Sequence, residues 1–276
     1  MKYRSLLAAA ALLAAPAAAN AAIFFDQNVT NAVIFGSGNT NGSYTVDRQS
    51  GIELGLRGKL RFNGAGMAEN TFNSNGDGSY NFFAGHPTAP QGFGFAQPPT
   101  TTPFWNFEWS VNTNFDGSVA GRNLDDLYYR IKIDFDPGAG TNFVSFDPII
   151  VSLADHSIGT NATASGAGME AADAVAYAAL IASNNLAQNS WNMEFFNQAP
   201  FLDGNNMTPV FDPLAYGTYT IMLQAFSDEA RTTELASVSI DINAVPEPGT
   251  LAAFGLGLLG LATLRRREMS ARPIHA

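Results

Sequence analysis

The chain has 276 residues, with 14 basic and 24 acidic side chains, three histidines and no cysteine. Between residues 22 and 245 there are 8 basic and 22 acidic side chains, a net charge of −14. That charge excludes nucleic acid and anionic polysaccharide or lipid as simple electrostatic partners, and the lack of cysteine excludes disulfides, thiolate metal sites and a thiol nucleophile.

The N-terminus reads as a secretory signal peptide over residues 1–21. Lys2 and Arg4 form a basic region, Leu6 to Ala15 an apolar core, and Ala19-Asn20-Ala21 a small-x-small cleavage site. Signal peptidase is the partner this implies, acting at Ala19 and Ala21 to leave a chain that starts at Ala22. Residues 22–245 then suit one large β domain or two small ones, long enough to bury a sizeable core, and are read as one β-sandwich domain.

Ile23 to Phe25 and Ala32 to Phe35 are short apolar runs, read as strands, and Gly36 to Gly42 is a turn-rich loop. Ile52, Leu54 and Leu56 alternate with Glu53, Gly55 and Arg57, the period of a half-buried strand that continues through Leu60 and Phe62. Residues 63–103 are irregular, with a short strand expected near Tyr80 to Phe83. Phe72, Phe82, Phe83, Phe93 and Phe95 pin this loop to the domain or else line a binding surface.

The clearest β pattern follows. Trp105, Phe107, Trp109 and Val111 alternate with Asn106, Glu108, Ser110 and Asn112. Leu127, Tyr129, Ile131, Ile133 and Phe135 alternate with Tyr128, Arg130, Lys132 and Asp134. The two strands are expected to pair as an antiparallel hairpin with one buried aromatic face. Phe143 to Leu153 is a strand region bent or placed at an edge by Asp147-Pro148. Gly168 to Ala182 is the one helical segment, and Ser190 to Phe196 reads as a strand. Gly217 to Phe226 and Glu234 to Ile242 are two final alternating strands. The fold expected is mainly β, an antiparallel β-sandwich of jelly-roll type with one short helix and a C-terminal transmembrane helix.

Candidate chemistry is sparse. Asn73, Asn75 and Asp77 fit the first half of a calcium loop, but the position for its bidentate carboxylate falls at Ala84. The competing reading is a plain asparagine-glycine turn. Asp125-Asp126 and the Asp134, Asp136 pair are further acidic positions at loop ends. Trp105, Trp109 and Trp191 are candidates for a glycan-binding face. Glu108 and Glu194 are the carboxylates beside tryptophans, which a glycosidase would need as a pair. Alternation puts Glu108 opposite Trp105 and Trp109, hence facing solvent if they are core. His86, His156 and His275 lack ligand spacing, and no catalytic residue is assigned. Four Asn-x-Ser/Thr triplets, at Asn28, Asn41, Asn161 and Asn206, read as chance in a sequence rich in these residues.

The last segment carries the strongest motif. Pro246-Glu247-Pro248 forms a turn, Leu251 to Leu264 an apolar run, and Arg265, Arg266 and Arg267 a basic cluster. The prolines separate the run from what precedes it. The run is short of a comfortable bilayer span, and the arginines place its C-terminal end in the cytoplasm. Gly255, Gly257 and Gly260 match a dinucleotide fingerprint, but no βαβ unit surrounds them. The segment resembles the PEP-CTERM sorting signal. That resemblance implies a sorting signal over 246–267 with a transmembrane helix at 250–264, a cytoplasmic tail at 268–276, and processing by an exosortase-type membrane enzyme. It implies a precursor held in the inner membrane and a product at the cell surface or outside the cell. For the body, a structural, non-enzymatic matrix protein is expected, with no cofactor. Alternatives are a carbohydrate-binding module for extracellular polysaccharide and a secreted hydrolase.

Overall fold

A computed structural model describes residues 22–30, 32–34, 39–63, 68–87, 102–150, 156–197 and 211–246, together with 249, 256, 257 and 259. The expected signal peptide, with Ala19 and Ala21, lies outside the described residues, as do Phe93 and Phe95.

Twelve strands are described: β1 (Ile23–Gln27), β2 (Tyr44–Gln49), β3 (Ile52–Phe62), β4 (Ala68–Thr71), β5 (Ser79–Phe83), β6 (Trp105–Asn112), β7 (Tyr128–Asp134), β8 (Phe143–Phe146), β9 (Ser157–Gly159), β10 (Leu186–Trp191), β11 (Gly217–Phe226) and β12 (Glu234–Val245). They form two sheets. The first has the order β1-β2-β3-β6-β10-β9, with β4 also on β3. The second has the order β5-β12-β11-β7-β8. Pairing is antiparallel except between β12 and β5. One apolar cluster joins the sheets, with Leu54 and Leu56 of β3 and Trp105, Phe107 and Trp109 of β6 on one side, and Ile131, Ile221, Val238 and Ile240 on the other. Successive strands pair at β1–β2, β2–β3, β3–β4, β7–β8, β9–β10 and β11–β12, while β3–β6, β6–β10, β7–β11 and β5–β12 join strands distant in the chain.

Gly58 lets the sheets approach. A Cβ there would lie 2.6 Å from Ile242 Cδ1 and 2.8 Å from Phe82 Cε2, inside van der Waals contact.

The expected hairpin of 105–111 with 127–135 does not form. β6 is hydrogen-bonded on both edges, to β3 and β10, so it has no free edge for β7. β7 lies in the other sheet, between β11 and β8. The alternation shared by both strands reports a common core, not a common sheet.

The helix α1 (Ala174–Ile181) is shorter than the expected 168–182. Asp173 caps it, Oδ1 accepting from Ala176 N at 2.8 Å. Met169 is taken by the first sheet instead, exchanging both backbone hydrogen bonds with Ile158. The strand expected at 190–196 is displaced to β10, and Met193–Asn197 is a 3-10 turn. Val33 and Ile34, expected in a strand, are buried but unpaired with either sheet. β8 sits at a sheet edge, as the Asp147-Pro148 break predicts. β11 and β12 match the last two expected strands, and β12 continues to Val245. The expected transmembrane helix falls largely outside the described residues. Among the described residues no helix is long and apolar enough to cross a membrane.

Candidate functional site

The fold offers two candidates: a buried charge cluster on the first sheet, and the end where β12 leaves the body.

The outer face of the first sheet carries Arg57 and Lys59 from β3 and Glu108 from β6. Arg57 and Glu108 are opposed in register, and Lys59 faces Asn106. Glu108 is 1% exposed, which corrects the expectation that it faces solvent. The alternation itself holds, since Trp105 and Trp109 point to the core. What alternation omits is the cover over the other face: Thr40 and Gly42 carbonyls receive Arg57 Nη1 at 2.8 and 2.6 Å, and Asn39 Oδ1 receives Lys59 Nζ at 2.8 Å. Val29, Ile34, Tyr44 and Val46 make a small apolar cluster beside it. The Arg57 guanidinium stacks on Tyr44 and Phe72, 4.2 and 3.9 Å from the ring centroids.

Arg57 Nε donates to Glu108 Oε2 at 2.6 Å, and Lys59 Nζ to Oε1 at 3.1 Å. Burial would raise the Glu108 pKa, but Arg57 and then Lys59 outweigh it and hold the carboxyl below the usual range. Burial pulls Lys59 down, with Glu108 opposing. A carboxylate locked between two cations is neither a proton donor nor a free base. Further along β3, Glu53 is buried too, accepting from Thr30 N, Thr30 Oγ1 and Arg48 Nε at 2.6, 2.5 and 2.6 Å. Arg57, Lys59 and Asn39 were not singled out from sequence. A charge at alternate strand positions reads as a solvated face until the cover is known.

The other sequence candidates are placed as follows. Trp105, Trp109 and Trp191 are each at most 1% exposed, so none offers a ring to a sugar at the surface. Trp109 and Trp191 pack with each other and with Phe107, Phe146, Phe196 and His156, and Trp105 packs with Phe211 and Tyr219, because one face of β6 and β10 is the shared core. Glu194 lies in the 3-10 turn after β10 and accepts from Thr102 Oγ1, and burial raises its pKa.

Asn73, Asn75 and Asp77 are engaged in closing a turn. Asn73 Nδ2 donates to Asn81 O at 3.0 Å, and Asn75 Nδ2 donates to Ser79 Oγ at 2.8 Å. Asp77 Oδ1 accepts from Ser79 N and Oγ at 2.9 and 2.7 Å. Asp126 Oδ2 accepts from Asn123 N, and Asp134 Oδ1 from Asp136 N and Asn142 N, which are loop-capping roles. Among the described residues no group of three or more metal-ligating side chains converges.

His156 is buried against Trp109 and Trp191. Its Nε2 bonds to the Pro148 carbonyl and its Nδ1 to Asn189 Nδ2, both at 2.8 Å. A carbonyl only accepts, so Nε2 carries the proton and Nδ1 accepts from the amide. Asp155 and His275 lie outside the described residues.

At the far end of the second sheet, β12 runs between β5 and β11. Its final pairs are Ala244 with Phe82 and Gly217, and Val245 with Phe83. Ala84 N donates to Val245 O at 2.8 Å, so hydrogen bonding persists to the last strand residue. Pro246 follows directly and is exposed. Glu247, Pro248 and Arg265 to Arg267 lie outside the described residues.

Residues 244–267 match the PEP-CTERM protein-sorting motif. The PEP-CTERM motif thus begins inside β12, at Ala244, with no linker between it and the body. It implies export of the chain and handling by an exosortase-type processing enzyme. Comparison of the chain with curated proteins and with solved structures gave no match.

Proposed function

We propose that residues 22–245 are an exported structural or matrix domain without catalytic activity, which the PEP-CTERM motif carries through the inner membrane to the cell surface. In this reading the precursor is held by a transmembrane helix over 250–264, and the handle is removed once export is complete.

The observation that carries the reading is the junction. A central strand of the second sheet ends at Val245 and becomes the PEP-CTERM motif at once, so a folded body is presented directly at the processing point. The side chains on which other functions would rest are engaged inside the body: all three tryptophans are core, and Glu108 is held by Arg57 and Lys59.

Replacing Pro246, Glu247 and Pro248 by alanine tests the sorting part. The expected result is an uncleaved precursor in the inner membrane; a product of normal size at the surface overturns it. Glycan-array binding by residues 22–245 tests the rest: no binding to any polysaccharide is expected, and specific binding replaces the structural reading with a carbohydrate-binding one.

A further inference from the structure

On the strands of the second sheet the exposed large apolar side chains are Phe83 and Val245, in the last row of the outer face, whereas Met222 and Phe226 on that face are half-buried and buried. Asn243 Nδ2 donates to Asn81 Oδ1 at 3.1 Å, and Thr218 Oγ1 to Asn243 Oδ1 at 2.9 Å, forming a polar row across β5, β12 and β11. Thr220 Oγ1 donates to Asp241 Oδ1 at 2.8 Å in the row behind it. Two residues on toward the PEP-CTERM motif, the same face carries Phe83 and Val245, paired in register. Tyr216, one residue before the Gly217–Ala244 pair, completes the row. All three are exposed, Tyr216 at 68%. Leu214, exposed at 61%, adjoins them in the Asp212 turn, where Pro213 O accepts from Gly85 N at 2.6 Å.

Single exposed apolar side chains are ordinary, but three in one row with a fourth beside them at one end are not. Chain length says what covers them. Leu251, the start of the apolar segment, lies six residues past Val245, which an extended chain covers in at most about 20 Å. The row is therefore tethered within reach of the headgroup layer whenever that segment is inserted. Tyrosine beside phenylalanine suits this boundary, where an apolar body and a polar tip are both solvated. Asp134, Asp136 and Asp212 act electrostatically on Tyr219 at the same end, which disfavours an anionic surface.

We infer that the Phe83–Val245–Tyr216 row, with Leu214, seats the body on the zwitterionic headgroup boundary of the bilayer while the PEP-CTERM motif is uncleaved. The inference rests on the sorting reading, because without an inserted C-terminal segment nothing brings this end to a membrane. Seating orients the body and holds Pro246, where β12 leaves it, at a set height above the bilayer, where a membrane enzyme acts.

The absence of cysteine makes the test clean. Full-length chains carrying Leu214→Cys, or Ile150→Cys at the opposite end of the sheet, are labelled with a fluorophore. They are reconstituted in phosphatidylcholine vesicles containing a headgroup-depth quencher. The expected result is strong quenching at position 214 and none at 150. Combining Leu214→Cys with Phe83→Ser, Tyr216→Ser and Val245→Thr is expected to reduce quenching to the level at 150, with near-UV circular dichroism confirming the fold. Equal quenching at both positions, or none at either in an inserted chain, overturns the inference. So does shielding of position 214 that follows protein density rather than lipid, which assigns the row to a second copy. A chain that does not co-sediment with vesicles overturns the sorting reading itself, and this inference with it.

Discussion

Glu108 and Arg57 meet at 2.6 Å on directly opposed positions of β6 and β3, on the face of the sheet that carries no tryptophan. Lys59 closes the cluster from the next outward position of β3. The pair is buried, so its members depend on each other: a buried charge without its partner is costly, whereas replacing the whole set by apolar groups need not be.

Glu108→Ala is therefore expected to destabilise the body by about 3–5 kcal/mol, by leaving two buried cations unpaired. Urea unfolding followed by tryptophan fluorescence measures this. A combined Arg57→Met, Lys59→Met, Glu108→Leu variant is expected to recover most of the loss. If Glu108→Ala is neutral, the cluster does not hold the cover in place.

His156 sets a dependence on pH. Burial pushes its pKa from 6.5 down to about 4, against the bond to Pro148 O. A protonated Nδ1 would also face the donor end of Asn189, whose Oδ1 is held by Ser190 N at 2.6 Å. The folded pKa is the lower one, so the body takes up this proton only on unfolding. Stability from this group is complete above pH 6.5 and is lost as pH falls toward 4, by about 3 kcal/mol in total. Comparing unfolding midpoints of wild type and His156→Gln from pH 7 to 4 isolates the effect; parallel curves would refute it.

Gly58→Ala is expected to cost about 1–3 kcal/mol, because the added methyl meets Ile242 and Phe82 across the core. An unchanged melting temperature would show that the sheets can separate there without penalty.

The end of β12 also sets the mature C-terminus. Val245 is hydrogen-bonded through Ala84 N and paired with Phe83, so cleavage is expected after Val245, sparing β12. The mass of the surface-exposed product reads this directly. A chain ending at Ile242 instead is expected to lose the Asn243 rungs to Asn81 and Thr218 and to unfold at lower denaturant.

The sequence by itself determined the sorting motif and the strands of strongest alternation. The PEP-CTERM motif is a contiguous string whose parts act through local chemistry, so no tertiary information is needed to read it. The alternation of Trp105 to Val111, of Leu127 to Phe135 and of the last two strands is likewise local, and these became β6, β7, β11 and β12. The tertiary structure alone decided which strands pair and which faces are covered. Period-2 alternation says that a side is buried but not by what, so β6 and β7 looked like partners and proved to lie in opposite sheets. β2, β4 and β9 were not foreseen, because none of Tyr44–Gln49, Ala68–Thr71 and Ser157–Gly159 is apolar enough to stand out without its neighbour. The Arg57–Glu108–Lys59 cluster was hidden for the same reason. Charges at alternate strand positions signal solvent, and only the segment folded over them, from Asn39 to Gly42, makes them buried.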